Sequence, residues 1–497
     1  MKNVIKNMVS LLLTLILLTC AFAVCGAAEE DNSHLWVGGE YVEPENAADP
    51  FGDGTVSFDL ATNTLTLNNY KYEGAGIDWE IVDGTSHAAI IYDGNRDLTL
   101  VLVGENSVIC TGGADYSYGV TCVSNLTVTG TGALDAVGGG AKSIACGIYA
   151  TADLVINGGT INAEAVGKME YSYGIHSEKL TVNGGTVNAR SDKETPYSCG
   201  IHSSDVKIND GVINAESRGE GYAVGIYGAG FDISGGVITA KGGKTNDYSA
   251  GIYSTGDFTM TGGTLTATGD TANKFSDGIY VGGNFAINGG VLTAAGGTAA
   301  EYSTGLYFSG DTADFSGGTV TLTGGDAGNN SCGINEAYTS KKDIIIGKNI
   351  TSLSLSGKGA ATTGIINSAT GGVGYENADK TGEKSFITPD LAHSELGCKI
   401  VEFPHGHTLT KVEAKQPTNR ETGNIEYYVC SGCDGYFKDA DGKIYIEDKN
   451  SVIIPALGDE DVPEEKSGFP WVWVIIAVVL AAAAAAAAVI IIKKKRK

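Results

Sequence analysis

Seven rings recur at near-constant intervals through the middle of the chain. They are Tyr149, His176, His202, Tyr227, Tyr253, Tyr280 and Tyr307, separated by 27, 26, 25, 26, 27 and 27 residues. Rings at fixed intervals have two chemistries open to them. Aromatic faces pack on the C–H faces of pyranoses, and imidazoles on neighbouring rungs, here His176 and His202, can share a metal ion. A third role needs no ligand: rings can simply cover one face of a repeat. Each of the seven ends a triplet "GIY", "GIH" or "GLY", so a glycine and an aliphatic residue always precede the ring.

Those triplets define the element that must position the rings. The repeat glycines are Gly119, Gly147, Gly174, Gly200, Gly225, Gly251, Gly278, Gly305, Gly333 and Gly364, spaced by 25 to 31 residues. A period in this range signals a solenoid, whose units bury their apolar faces by stacking on one another. Within a unit the apolar residues alternate and show no helical period. One run ends in the ring. The next places apolar residues two apart, as in Phe258/Met260, and a turn such as Gly262-Gly263 follows. The last run pairs an aliphatic residue with alanine, as in Leu265/Ala267. Three strands per coil predict an all-β, parallel β-helix of about ten coils, right-handed because parallel crossovers are. The segment 35–74 reads as hairpins that cap the first coil and hide its strand edges.

A two-residue strand period directs the aliphatic residue inward and the ring outward. The same parity sends a second series inward: Tyr116, Tyr171, Tyr197, Tyr222, Tyr248, Phe275 and Tyr302, three residues before each glycine. Cys146, Cys199 and Cys332, just before the glycine, become inward, unbridged thiols, and Asp277 in that position is at odds with an inward reading. The last run of each coil turns Asn162, Asn188, Asn214, Thr239, Thr266, Thr293 and Thr321 to solvent.

The phrases "LWVGG", "DLATNTLTLNN" and "LTLVLVGEN", with the repeats, cover about residues 35 to 370. Over that span the chain resembles secreted, pectate-lyase-like right-handed β-helix proteins from the surface of anaerobic Gram-positive bacteria. The resemblance implies carbohydrate binding, and with the outward Tyr/His stripe as the candidate site the expected function is non-catalytic binding of a polysaccharide along that stripe. Two alternatives stand beside it: a cell-wall scaffold or adhesin that binds no sugar, and a polysaccharide lyase or hydrolase. Lyase or hydrolase chemistry needs clustered carboxylates, often with calcium, and a basic residue. The loop carboxylates Glu164, Glu170 and Asp192 are the candidates for such a cluster, and loop calcium remains a candidate cofactor.

The chain ends set the compartment. Residues 1–28 read as a signal peptide: a basic lead, an apolar core and small residues before Ala28. Residues 470–492 are uncharged and long enough to cross a bilayer, and "KKKRK" at 493–497 places the tail in the cytoplasm. The expected organisation is thus a cap at 29–85, the β-helix at 86–390, a small β module at 391–457 and an acidic linker at 458–469. The expected location is the cell membrane, with the bulk of the chain outside. The exported part carries 26 basic and 58 acidic residues, a net of −32, which excludes a nucleic-acid partner. Residues 405–457 resemble a module of the same surface proteins in which a histidine, a cysteine and a Cys-x-x-Cys look like four zinc ligands. His405 or His407, Cys430 and Cys433 match that set, and Asn419 stands where the remaining cysteine would be.

Overall fold

The computed structural model describes residues 34–457 apart from 82–83, 114, 193, 337–342, 360, 364, 369, 371, 378, 381–383, 388–391, 394–397, 404–407, 432–434, 443 and 447. The expected signal peptide and membrane span lie outside the described residues, among which no helix is long and apolar enough to cross a membrane. The described chain forms two compact units that divide after Gly406.

The first unit is a β-solenoid of about nine turns. One coil shows the plan, with strands Tyr222–Gly228, Gly230–Ile233 and Val237–Lys241. Each pairs in parallel with its counterpart one coil on, matching Tyr227 with Tyr253, Phe231 with Phe258 and Ile238 with Leu265. In-register pairing stacks like on like, and the apolar columns foreseen from the sequence fill the interior. Ile148, Ile175, Ile201, Ile226, Ile252 and Ile279 are at most 1% exposed. Phe231, Phe258, Phe285 and Phe315 form a buried column along the second strand, with ring centroids 5.2–5.6 Å apart. The turn between second and third strands needs its second glycine. Gly236, Gly263 and Gly290 have φ of +80° to +86°, a region that a side chain strains.

Both ends of the solenoid are covered, as unpaired strand edges require. At the start, Leu35–Val37 runs antiparallel to Gly84–Tyr92, while Val56–Asp59 and Thr64–Asn68 form the expected hairpin. At the far end, Ile400–Phe403 pairs antiparallel with Asp343–Ser356, so the solenoid unit extends into residues from which the sequence suggested a separate module.

The second unit contains a three-stranded antiparallel sheet of Leu409–Val412, Tyr427–Cys430 and Tyr436–Phe437. A short pairing of Gly423–Asn424 with Ile453–Ile454 and a 3-10 turn at Lys449–Val452 complete its described elements.

Candidate functional site: a groove between two aromatic rails

The repeat glycine decides which side chains face out. A Cβ added at Gly174 would lie 2.4 Å from the Arg190 amide nitrogen, and one at Gly251 would lie 2.4 Å from that of Thr268. Both neighbours belong to the third strand of the same coil, so the glycine points inward against backbone and tolerates no side chain. The aliphatic residue after it also points inward. Two successive inward residues break strand alternation, as at a β-bulge. Everything before the glycine is therefore shifted by one from the expected parity.

The inward position before the glycine belongs to a serine two residues earlier. Ser172, Ser198, Ser249, Ser276 and Ser303 are at most 1% exposed. Each Oγ accepts a hydrogen bond from a backbone N–H of the turn beyond the third strand: from Asp192, Gly219, Asp270, Gly297 and Gly325, at 2.8–2.9 Å. This column fixes the corner where the first strand begins. Sequence reasoning missed it, although "YS-G" and "FS-G" recur with the glycines.

The shift corrects the second aromatic series. Tyr197 and Tyr222 are 44% and 42% exposed, not inward. Tyr171, Tyr197 and Tyr222 stack on one another at 5.3 and 5.4 Å, and Phe275 on Tyr302 at 5.7 Å. The residues just before the glycine lie on this same outer side, beneath the rings. Cys199 clusters there with Val224, Tyr248 and Ala250, apart from the main core. Cys146 sits in a comparable cluster with Ala88, Ile91 and Tyr118. Both thiols are buried and unbridged, as expected, and burial raises their pKa values.

The seven rings first singled out form the other rail. All are half-buried. Successive centroids from Tyr149 to Tyr307 are 4.8, 4.9, 4.7, 5.4, 4.3 and 5.1 Å apart, with interplanar angles of 3–17°. Rungs about 4.8 Å apart bring like rings into stacking contact. The ring faces lie against one another along the rod, and the rail presents edges, phenol oxygens and imidazole nitrogens sideways. His176 and His202 are part of this stack. Burial pushes both pKa values down to about 4, helped at His176 by the charge that His202 would carry. Their Nδ1 atoms are buried without a hydrogen-bond partner.

Between the rails runs a groove holding two cavities. One, of about 300 Å³, is bounded by Tyr197, Tyr222, Cys199, His202, Tyr227 and Tyr253. The other, of about 240 Å³, lies around Asp277. Tyr248 borders both. Asp277 is 4% exposed, and burial pushes its pKa up to about 6 against two hydrogen bonds that favour the carboxylate. Tyr248 donates to Oδ2 at 3.0 Å and Thr304 to Oδ1 at 2.5 Å.

The remaining candidates fall elsewhere. Asn214, Asn188 and Asn162 form a third-strand ladder in which each Nδ2 donates to the preceding Oδ1, ending on Asp135, at 2.6–2.8 Å. Glu164 lies beside that ladder with Arg190 and Glu216, while Asp192 accepts from the Gly167 amide at 2.6 Å. His405, His407 and Cys433 lie outside the described residues, and Cys430 is buried. Among the described residues no three metal-ligating side chains converge. Comparison with known protein families, curated proteins and solved structures finds no match for this chain.

Proposed function

We propose that the chain is a membrane-anchored surface protein that binds polysaccharide non-catalytically in the groove between its two aromatic rails. The carrying observation is the groove itself. It runs along the rod between Tyr171, Tyr197 and Tyr222 on one side and His202, Tyr227 and Tyr253 on the other. A linear, repeating site suits a linear, repeating ligand. Ring edges and phenol hydroxyls suit sugar hydroxyls, with apolar ring surface excluding water around them. This reading adopts the likeness to right-handed, pectate-lyase-like surface proteins, with the signal peptide and the 470–492 span supplying export and anchorage. Of the described residues lining the two groove cavities, Asp277 is the one carboxylate, where glycoside hydrolysis ordinarily uses a pair. That favours binding over hydrolysis in the groove.

The test is retention of the full-length chain on insoluble and soluble glycans. Replacing Tyr197 and Tyr222 together by alanine removes exposed rings and leaves the solenoid core intact, so retention is expected to fall while the fold persists. Unchanged retention by that variant, or no retention of any glycan by the unaltered chain, sinks the proposal. Release of unsaturated or reducing ends would establish an enzyme instead. A scaffold without a sugar ligand is the second reading, favoured by the mutual stacking of the ring faces.

A further inference from the structure

We propose that the cavity around Asp277 is a site for an organic ammonium group. On the polysaccharide reading, on which only the carrier rests, that group is the free amine of an unacetylated amino sugar.

The geometry sets this cavity apart from the rest of the groove. The rail of Tyr197 and Tyr222 does not run on unbroken. Tyr248, paired in register with Phe275, makes no stack with it; it stands edge-on to Tyr253, 5.7 Å away at 87°. That orientation lets its hydroxyl reach Asp277 and opens the rail before Phe275, whose stacking partner is Tyr302 on the far side. The opening has a floor of Asp277 and Thr304 and walls that include Phe275, Tyr280 and Asn335. Its volume, about 240 Å³, is below the roughly 300–1,000 Å³ of sites for drug-sized ligands, so it admits one ring or one head group.

Chemistry then selects the occupant. Along the column beneath the rings the neighbours of Asp277 are Cys199, Val224, Ala250 and Thr304, all uncharged. The carboxylate's own partners are the Tyr248 and Thr304 hydroxyls, the cavity also holds the phenols of Tyr280, Tyr302 and Tyr307 and the Asn335 amide, and no lysine or arginine lines it among the described residues. A carboxylate accepts about four hydrogen bonds, and here each oxygen receives one hydroxyl. Room remains for donors from a ligand, and a cationic donor also supplies the charge that burial leaves uncompensated. Phe275, which lines the cavity, supplies an aromatic ring beside the cation. A neutral sugar hydroxyl satisfies the hydrogen bonds alone; an anionic group is repelled.

The experiment titrates the full-length chain at pH 6.5, where the sugar amine and Asp277 are both charged in good part, with three probes: a glucosamine oligomer, its N-acetylated counterpart and methylammonium. The glucosamine oligomer is expected to bind at least about tenfold more tightly than the N-acetylated one, the gain of a charge-assisted contact. In Asp277→Asn, which keeps the size and an acceptor oxygen, the two oligomers are expected to bind alike. Equal affinity of the unaltered chain for both oligomers overturns the proposal without any variant and leaves polysaccharide binding standing. A glucosamine preference that survives in Asp277→Asn overturns it too. Methylammonium binding that Asp277→Asn abolishes, with no glycan bound at all, upholds the ammonium site and removes the polysaccharide reading instead.

Discussion

One stretch of the groove is built on imidazole and the other on a carboxyl group, and burial pushes the two in opposite directions. His176 and His202 enter the stack as neutral rings and resist protonation down to about pH 4, against an ordinary 6.5. Asp277 resists ionisation up to about pH 6, against an ordinary 3.8. Desolvation is the leading cause in all three. The lesson is that burial beside the rings penalises charge on whatever side chain sits there. A histidine there is tolerated because its neutral ring stacks as tyrosine does. A carboxyl group is tolerated because two hydroxyls hold it.

The two stretches must then respond oppositely to pH. The depressed histidine pKa values contribute stability that is full above about pH 6.5 and lost as pH falls through about 4, because the unfolded chain takes up protons that the folded chain refuses. The shift is worth roughly 3 kcal/mol per ring as an upper bound. Replacing both by phenylalanine keeps the stack and removes the titration. Urea unfolding followed from pH 7 to pH 4 is expected to show a decline in the unaltered chain several kcal/mol steeper than in His176→Phe/His202→Phe. Parallel declines would show that burial leaves these imidazoles unperturbed.

Asp277 carries the reverse sign. Its raised pKa contributes stability that is full below about pH 3.8 and lost as pH rises through about 6, so at pH 8 the buried carboxylate costs up to roughly 3 kcal/mol. Asn mimics the protonated group. Asp277→Asn is expected to raise the urea midpoint at pH 8 by about 1–3 kcal/mol equivalent and to change it little at pH 4. A loss of stability at pH 8 would mean that the hydroxyls of Tyr248 and Thr304 more than repay the buried charge. A residue that destabilises the apo fold is also what a ligand-binding role predicts, which ties this measurement to the ammonium site.

Much of the fold was legible in the sequence, because a solenoid repeats its rules. The period located the coils that carry a repeat glycine, though it counted about ten where the solenoid has about nine turns and it passes over the first, where Ala89 stands in the glycine's place. Two-residue alternation located the inward columns wherever a strand is regular, as at Phe258/Met260 and Leu265/Ala267. The reading failed at one place in each coil. Gly251 and Ile252 both turn inward, and a rule of strict alternation cannot register that extra residue. It therefore sent Tyr197 and Tyr222 to the core and left half of the groove unseen. Two signs of the error were present: Asp277 in a supposedly apolar position, and a serine two residues before most of the repeat glycines. Ring orientation was less accessible still. It follows from the rung spacing, which stacks ring on ring and turns their edges outward.

The two rails offer the finest comparison, since they differ in burial and share the groove. Tyr253 is half-buried, stacked between Tyr227 and Tyr280 with Tyr248 edge-on to it. Tyr222 is 42% exposed and stacks on Tyr197. Tyr253→Ala opens a gap in a continuous ladder and is expected to cost about 2 kcal/mol, whereas Tyr222→Ala is expected to cost about 1 kcal/mol or less, both read by urea unfolding. If the rings only protect a face, glycan retention is absent in both variants and in the unaltered chain. If the groove binds, retention falls in both, and by similar factors, because a ligand lying between the rails touches both sides whatever each ring contributes to folding. Loss of retention that tracked stability alone, large for Tyr253→Ala and undetectable for Tyr222→Ala, would move the ligand off the Tyr222 rail and reduce the groove to a single line of rings.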